Sequence, residues 1–583
     1  MKIKSSIKIT NTHMNTKMLD DSNLQFEPEL FRPEEIDSRK DIVKPEREDE
    51  SHSKFLNLAR STVKKLKLQS NLSSHQEKAR VVLSLLKSAS RQIEIEEFKE
   101  AISDLTKDEQ HYWIGTLYTL LLSPKDRRNQ AAYFTPPYLA NAVLDLAIQA
   151  GFQLHQHRVL DPAAGGAAFL STVAGRAQEE GVRPSDILRR LRGIELDPGL
   201  AQISETLIAD RLALTKRANV IRVQDALTIQ TRSSYDLVIA NPPYGRITAK
   251  DLPNENWKKV SYSGHINKYA VFSELCLRHA KKGGIVALVL PSSFRAGPFY
   301  DRIRSYIRSN AEILAIASVP EREGVFADVA QDVSVLVLRK GSPHPGKALV
   351  PFPVLRRQQD TSKIEVRSLP KNLGASWPFP VDGDSYVGGA VLTDYGATIR
   401  AGYFVWNREF DRLTTRSSKN AYPLIWAKNV RAEQMCWPMG KNGTKTDFVK
   451  FTNESTAILR THAAVLQRTT NDKQPRRIIA SMVDPKVVEQ WGGFVTENHT
   501  IVLTCERAED LSLIVSLLNT KAVDDRYRRV SGTASISVQL LREIDLPRPD
   551  VFRRELRRHK GNAEAAAESA YVNPEKNVGD GYG

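Results

Sequence analysis

The chain has little cysteine: three residues among 583, Cys276, Cys436 and Cys505, far apart and with no CxxC pair. That spacing excludes a disulfide framework and a zinc ribbon. Long apolar runs are also missing, and no stretch approaches the ~20 residues that a membrane helix needs. The N-terminus, MKIKSSIKITNTHMNTKMLDD, lacks the apolar core of a signal peptide, so the expected location is the cytoplasm. Acidic residues are in deficit, with 68 Asp plus Glu against 84 Lys plus Arg and a net charge of +16. Such an excess suits a protein that meets a polyanion, most often nucleic acid, although charge alone assigns no function. Hydrophobic residues make up 41%, enough to build real cores.

At roughly 100–200 residues per domain, the length divides into several units. Residues 1–54 are polar and charged and read as a flexible tail. From 55 to 128 apolar residues recur at three- and four-residue spacing, as in ARVVLSLLKSAS and HYWIGTLYTLLLS, which predicts helices. Between 129 and 340 short apolar runs alternate with helix-like stretches. The runs are Arg158–Leu160, Gly193–Leu196, Val220–Val223, Leu237–Ala240, Ile285–Leu290, Ile313–Val319 and Val333–Leu338. Helices between the first five predict a doubly wound parallel sheet. The last two lack a long helix between them and predict an antiparallel hairpin at one edge. Residues 341–390 are rich in Pro and Gly and read as a linker. Residues 391–560 mix strand-like segments (RRIIASMV, HTIVLTC) with helix-like ones, as an α+β domain would, and 561–583 has the composition of a tail.

The sharpest motif is Asn241-Pro242-Pro243-Tyr244, directly after the strand YDLVIA. Open α/β sheets place ligands at the carboxyl ends of their strands. The Asn241 side-chain carbonyl and the Pro242 main-chain carbonyl can each accept an N–H from an exocyclic amine, and the prolines stiffen the turn. Holding both N–H groups frees the nitrogen lone pair for an electrophile, and Tyr244 offers a flat face for a planar ring. A chance Asn-Pro turn is the bland alternative, which the preceding apolar strand disfavours. A second motif, VLDPAAGGAAFL at 159–170, runs from a strand through small residues into a helix, as a nucleotide-cofactor turn does. Glu195 follows near the end of the next strand, where an acid typically bonds ribose hydroxyls. Asp225, after the third strand, has the placement to accept from an adenine amine. Either acid could instead cap a helix.

The ordered set YFTPPYLANAVLDLAI, VLDPAAGGAAFL, GIELDP, QDAL, YDLVIANPPYG and GGIVALVLPSSF resembles the N6-adenine DNA methyltransferases of restriction–modification systems. The resemblance is to the type II-like arrangement, with the cofactor motifs before the target-recognition domain. It is dense over 129–340 and loose over 391–560. It implies a seven-stranded, Rossmann-like S-adenosylmethionine-dependent methyltransferase sheet, preceded by the helical region and followed by a DNA target-recognition domain. The cofactor implied is S-adenosyl-L-methionine, the partner double-stranded DNA in a prokaryotic cytoplasm, with a separate cognate restriction endonuclease and no metal. Position by position, Tyr133, Phe134, Thr135 and Pro136 match the segment over the methionine end of the cofactor. Asp161, Ala163 and Gly165 match the turn beneath it. Glu195 matches the ribose acid, Leu196 the residue packed on the adenine ring, and Asp225 and Ala226 the adenine-reading pair. Asn241, Pro242, Pro243 and Tyr244 match the catalytic tetrad, while Tyr244 and Phe326 match aromatics on a flipped target base. Ala167 departs from the pattern, since the family commonly has glycine there.

Other readings differ in substrate. Release-factor glutamine methyltransferases share the tetrad but are shorter, and RNA guanine-N2 or adenine-N6 methyltransferases remain an alternative. A type I modification subunit would need a separate specificity subunit, whereas a recognition domain is expected here in the same chain. The arginine clusters Arg476-Arg477, Arg526, Arg528-Arg529, Arg553-Arg554 and Arg557-Arg558 are expected to hold DNA phosphates, unless each is merely a solvated helix face.

Overall fold

The computed structural model describes residues 46–571, apart from 70–71, 87–92, 124–125, 128–133, 231–232, 297, 320–332, 347, 357–363, 378–388, 441–444, 470–475 and 531–535. No helix among them is long and apolar enough to cross a membrane.

Seven strands form one sheet: β1 (Val159–Asp161), β2 (Leu191–Glu195), β3 (Ile221–Val223), β4 (Tyr235–Ala240), β5 (Ala280–Pro291), β6 (Ala311–Val319) and β7 (Val333–Lys340). Their order is β3-β2-β1-β4-β5-β7-β6. The first five run parallel, and β7 lies antiparallel between β5 and β6. This is the expected seven-stranded methyltransferase-type sheet, and each expected strand overlaps an observed one. The central strands are buried on both faces, which explains why IVALVL and VLVIA-like runs read as continuously apolar rather than alternating. The order reverses direction at β1, whose neighbours are β2 and β4, so the crevice at the carboxyl ends of these strands is the natural ligand position.

The helical region in front of the sheet consists of helices Glu46–Gln69, His75–Leu83, Ile93–Ile102 and Lys107–Leu121. Two of them begin in reciprocal capping boxes, Ser74 with Glu77 and Thr106 with Glu109. Their apolar faces share one core with Leu200, Ile203 and Leu207 of helix Pro198–Arg211, which follows β2. The region is thus built onto the cofactor half of the sheet.

The C-terminal part holds an antiparallel four-stranded sheet of Thr398–Ala401, Thr500–Thr504, Ala463–Gln467 and Ala480–Met482, and a second sheet around Ala421–Ile425. Two boundaries differ from the composition-based reading. Within 341–390, the strands Leu349–Phe352 and Glu365–Ser368 pair, and Val350, Phe352, Leu369 and Trp377 enter the core of the large sheet. Arg304 clamps this strap through Gly374 O (2.9 Å), and Arg308 through Pro370 O (2.6 Å). Within 561–583, Ala563–Ala570 is a helix with Ala566 and Ala567 fully buried. Pro, Gly and Ala content alone does not reveal burial, because these residues pack as readily as they loop.

Trp377 is 2% exposed and meets Phe294 edge-on at 5.5 Å. Trp377→Ala should lower the unfolding free energy by about 3–5 kcal/mol in denaturant titration, the usual cost of emptying such a site.

Candidate functional site

Four strand ends converge. Asp161 closes β1, Glu195 closes β2, and Asp225 and Asn241 follow β3 and β4. All but Asp161 line one pocket, together with Phe134, Ala163, Gly165, Leu196, Ala226 and Pro243. Thr135 joins it through a hydrogen bond to Asn241, described below. Tyr133 and Phe326 lie outside the described residues.

The two acids behind the loop 161–166 hold it in shape. Asp161, 1% exposed, accepts from the Ala163 N–H at 3.0 Å. Glu195 accepts from Gly165 N with one oxygen and from Asp197 N with the other, both at 2.8 Å. Burial pushes the Asp161 carboxyl up to about 8 and the Glu195 carboxyl up to about 7, the backbone donors opposing it. Asp225 does cap the short 3-10 turn Ala226–Thr228, accepting from Leu227 N at 2.9 Å, so the bland role and a place in the pocket coexist. Leu196 is 63% exposed at the rim, an apolar surface with nothing of this chain over it.

Ala167, where glycine was the expected residue, has φ +57° and a fully buried side chain. The chain bears the left-handed strain of ~1–2 kcal/mol and starts helix Ala168–Glu179 directly from it.

Phe134 fills the space above the loop. A Cβ on Gly166 would lie 1.5 Å from its ring, and one on Gly115 1.8 Å. Gly115 sits inside helix Lys107–Leu121, where glycine costs about 1 kcal/mol relative to alanine. The close approach of the ring is what requires it.

At the end of β4 the tetrad forms a short polar chain. Asn241 Nδ2 donates to Thr135 Oγ1 at 3.2 Å, and the Tyr244 hydroxyl donates to Asn241 Oδ1 at 2.9 Å, with Val289 O at 3.3 Å. Held between the two hydroxyls, the Asn241 side chain is fixed in position at the pocket edge. Burial raises the Tyr244 pKa, and its ring meets Tyr269 edge-on at 6.5 Å. Pro242 is buried and Pro243 half-buried beside it.

Several participants carried no sequence signal. His75 and Tyr118, from two N-terminal helices, both bond Asp197, the latter at 2.8 Å. Ile247, Lys268 and Phe272 also line the pocket. Burial lowers the Lys268 pKa, while Asp225 and Asp251 draw it the other way. Among the described residues no cluster of three or more His, Cys, Asp or Glu could hold a metal ion. Most of the clustered arginines have acidic partners within the chain. Arg476 pairs with Glu564, Arg528 with Asp524, Arg553 with Asp510, and Arg554 and Arg558 with Glu555. Arg526 pairs with Asp545 and lies over Tyr571, and Arg477 is buried. The side chain of Arg529 lies outside the described residues. These pairs stitch the C-terminal helices together, while Arg554, Arg557 and Arg558 keep exposed side chains.

Residues 109–365 match the family model described as N-6 DNA Methylase. The chain is 23% identical over 357 residues to type II methyltransferase M.PstI of Providencia stuartii, covering 56% of this chain and 67% of that protein. It is 20% identical over 485 residues to type II methyltransferase M.BsuBI of Bacillus subtilis, covering 73% of this chain and 89% of that protein. Among solved structures, the type IIL restriction-modification enzyme MmeI in complex with DNA aligns with a TM-score of 0.47 at 11% identity, over 89% of this chain and 96% of that one.

Gly115→Ala should push Phe134 into the pocket and weaken S-adenosylmethionine binding about tenfold by calorimetry, the equivalent of the ~1–3 kcal/mol that overpacking costs. A pH dependence also follows. Asp161 and Glu195 bind protons more tightly folded (about 8 and about 7) than at their ordinary 3.8 and 4.5, so the native state holds more protons across that window. Their contribution to stability is present below the ordinary values and is lost as pH rises through the folded ones. The ligand-free thermal midpoint should therefore fall between pH 5 and 8, less steeply in Asp161→Asn; equal slopes would contradict the assignment.

Proposed function

This chain belongs to the N-6 DNA methylase family, an adenine-specific DNA methyltransferase of restriction–modification type, and on that premise we propose that Asn241, Pro242 and Tyr244 present adenine N6 to S-adenosyl-L-methionine held above the loop 161–166. The observation that carries this reading is the Thr135–Asn241–Tyr244 hydrogen-bond chain beside the pocket.

The pocket fits the cofactor chemically. Glu195 has lone pairs beyond its two backbone bonds for ribose hydroxyls, Leu196 supplies an uncovered apolar face for the adenine ring, and Asp225 faces the same pocket for its amine. Bound there, S-adenosylmethionine supplies an electrophilic methyl group on a positively charged sulfur.

The residues of the chain do the rest. A base inside a duplex is out of reach, so the adenine must leave the stack, at a cost of a few kcal/mol. Tyr244 offsets part of that cost by ring contact. In this structure its hydroxyl occupies Asn241 Oδ1, so base entry requires Tyr244 to release that oxygen, with Val289 O beside it as the other acceptor. Asn241 Oδ1 and Pro242 O then accept the two N6 hydrogens, which directs the lone pair outward. As the new N–C bond forms and the methyl–sulfur bond breaks, leaving a neutral thioether, the positive charge on N6 is stabilised by these carbonyls, and one N6 proton leaves to solvent. Orientation and fixed dipoles carry the rate, with no strong base needed.

The region 391–560 is the proposed reader of DNA, and a cognate endonuclease the proposed partner in protection. Among the described residues Arg416, Lys419 and Arg431 form no ion pair, and they stand exposed with Tyr403 and Phe410. They join the exposed Arg554, Arg557 and Arg558 as candidates for phosphate and base contact.

The test is incubation with labelled S-adenosylmethionine and duplex DNA followed by nucleoside analysis. Label in N6-methyladenine supports the reading, and label only in RNA or in protein overturns it. Asn241→Ala should abolish transfer. Thr135→Val should lower kcat about tenfold with little change in KM for DNA, the cost of one lost orienting bond, and Thr135→Ser should restore it. Equal activity of Thr135→Val would remove Thr135 from the chain of orientation.

A further inference from the structure

In a doubly wound sheet, crossover helices cover both faces. The connection from β3 to β4 carries one 3-10 turn, Ala226–Thr228, and no α-helix among its described residues. Helix Lys268–His279 packs on β4 and β5, and beyond it a cleft of about 890 Å³ remains over β1–β3. Its walls combine two chemistries. Leu160 and Ile194 are apolar and share a sheet face with Arg192 and Arg222, while Arg158, Arg192 and Arg222 are exposed, and no described residue lining the cleft is acidic.

His279 lines the same cleft. It is 3% exposed, and neither of its ring nitrogens has a hydrogen-bond partner. Burial, with Arg278 and Lys340 nearby, pushes its pKa down to about 4, so the imidazole is neutral and offers one donor and one acceptor. Its ring meets Tyr235 edge-on at 6.3 Å, and the Arg158 guanidinium lies 5.1 Å over the Tyr235 ring. Arg192 is held in place through Leu188 O at 2.9 Å. Leaving a buried polar ring unsatisfied is costly, and a ligand that supplies both partners would remove that cost.

We propose that this cleft is a second ligand site, for a nucleotide, with its phosphates on Arg158, Arg192 and Arg222 and its base against Leu160 and Ile194, edge toward His279. Guanidinium groups suit phosphate, and a heteroaromatic base suits an apolar wall with a neutral donor–acceptor ring. The site is separate from the methyl-transfer pocket but adjoins it, since Ile194 and Gln224 line both. Nothing in it depends on the chemistry assigned to Asn241.

The experiment is calorimetric titration of ADP into the full chain already saturated with S-adenosylmethionine, so that the adenine pocket is filled. One equivalent should bind, with inorganic pyrophosphate competing. Arg158→Ala should weaken binding about tenfold, and Arg222→Glu should abolish it. Both side chains are exposed, and unchanged S-adenosylmethionine affinity checks that each variant is folded. His279→Phe tests the base contact and should weaken ADP while leaving pyrophosphate unaffected. Competition by a single-stranded oligonucleotide would identify the source as a DNA strand; its absence would identify a free nucleotide. Lack of ADP binding, or binding indifferent to Arg158 and Arg222, overturns the site. Loss of transfer in Asn241→Ala with ADP binding intact keeps this outcome distinct from the methyltransferase reading.

Discussion

One carboxylate ties the molecule together. Glu195 stands at the end of β2 and accepts a backbone N–H from each side, Gly165 in the loop after β1 and Asp197 at the start of the next helix. Without it, the loop 161–166 would lose its anchor to the neighbouring strand, and two buried donors would be left unsatisfied at ~1–3 kcal/mol each. Asp197 extends the arrangement by accepting from Leu200 N, His75 and Tyr118. Thus two neighbouring carboxylates, Glu195 and Asp197, hold the loop 161–166 and dock the N-terminal helices. Burial raises the Glu195 pKa, with these backbone donors opposing it.

The N-terminal helices are therefore a wall of the site rather than a separate module. Phe134 lies between Gly115 of the last of them and Gly166 of the cofactor loop, and neither glycine has room for a methyl group. Helix packing, ring position and loop shape are one constraint. The strap 364–377 does the corresponding work on the other side, since Arg304, Arg308 and Trp377 fasten it to the sheet before the chain enters the C-terminal region. Ser376 reaches Glu543 at 3.0 Å, so that region is tied back to the catalytic sheet by contacts as well as by the chain.

The positive charge is distributed differently from what clusters in sequence suggest. Arginines that are neighbours along a helix alternate around it, and Arg528, Arg553 and Arg558 each find an acid on their own or an adjacent helix. Their charge is spent on holding the C-terminal fold. Arg416, Lys419 and Arg431, exposed and without such partners among the described residues, come from short loops and a hairpin, where no periodicity draws attention to them.

Sequence by itself determined the sheet, its strand count, its antiparallel final pair and the placement of Asp161, Glu195, Asp225 and Asn241 at strand ends. These are local matters: a continuous apolar run bounded by turn residues states a buried strand, and a residue just after it must lie at the sheet's edge. The tertiary structure alone decided that Thr135 bonds Asn241, that Gly115 admits the Phe134 ring, that Tyr118 bonds Asp197, and that part of an apparent linker is core. It also decided which arginines of the clusters find acidic partners and that the described β3–β4 crossover carries no α-helix. Each of these depends on which surfaces meet across tens or hundreds of residues. Spacing along the chain carries no record of that, because packing is set by shape in three dimensions.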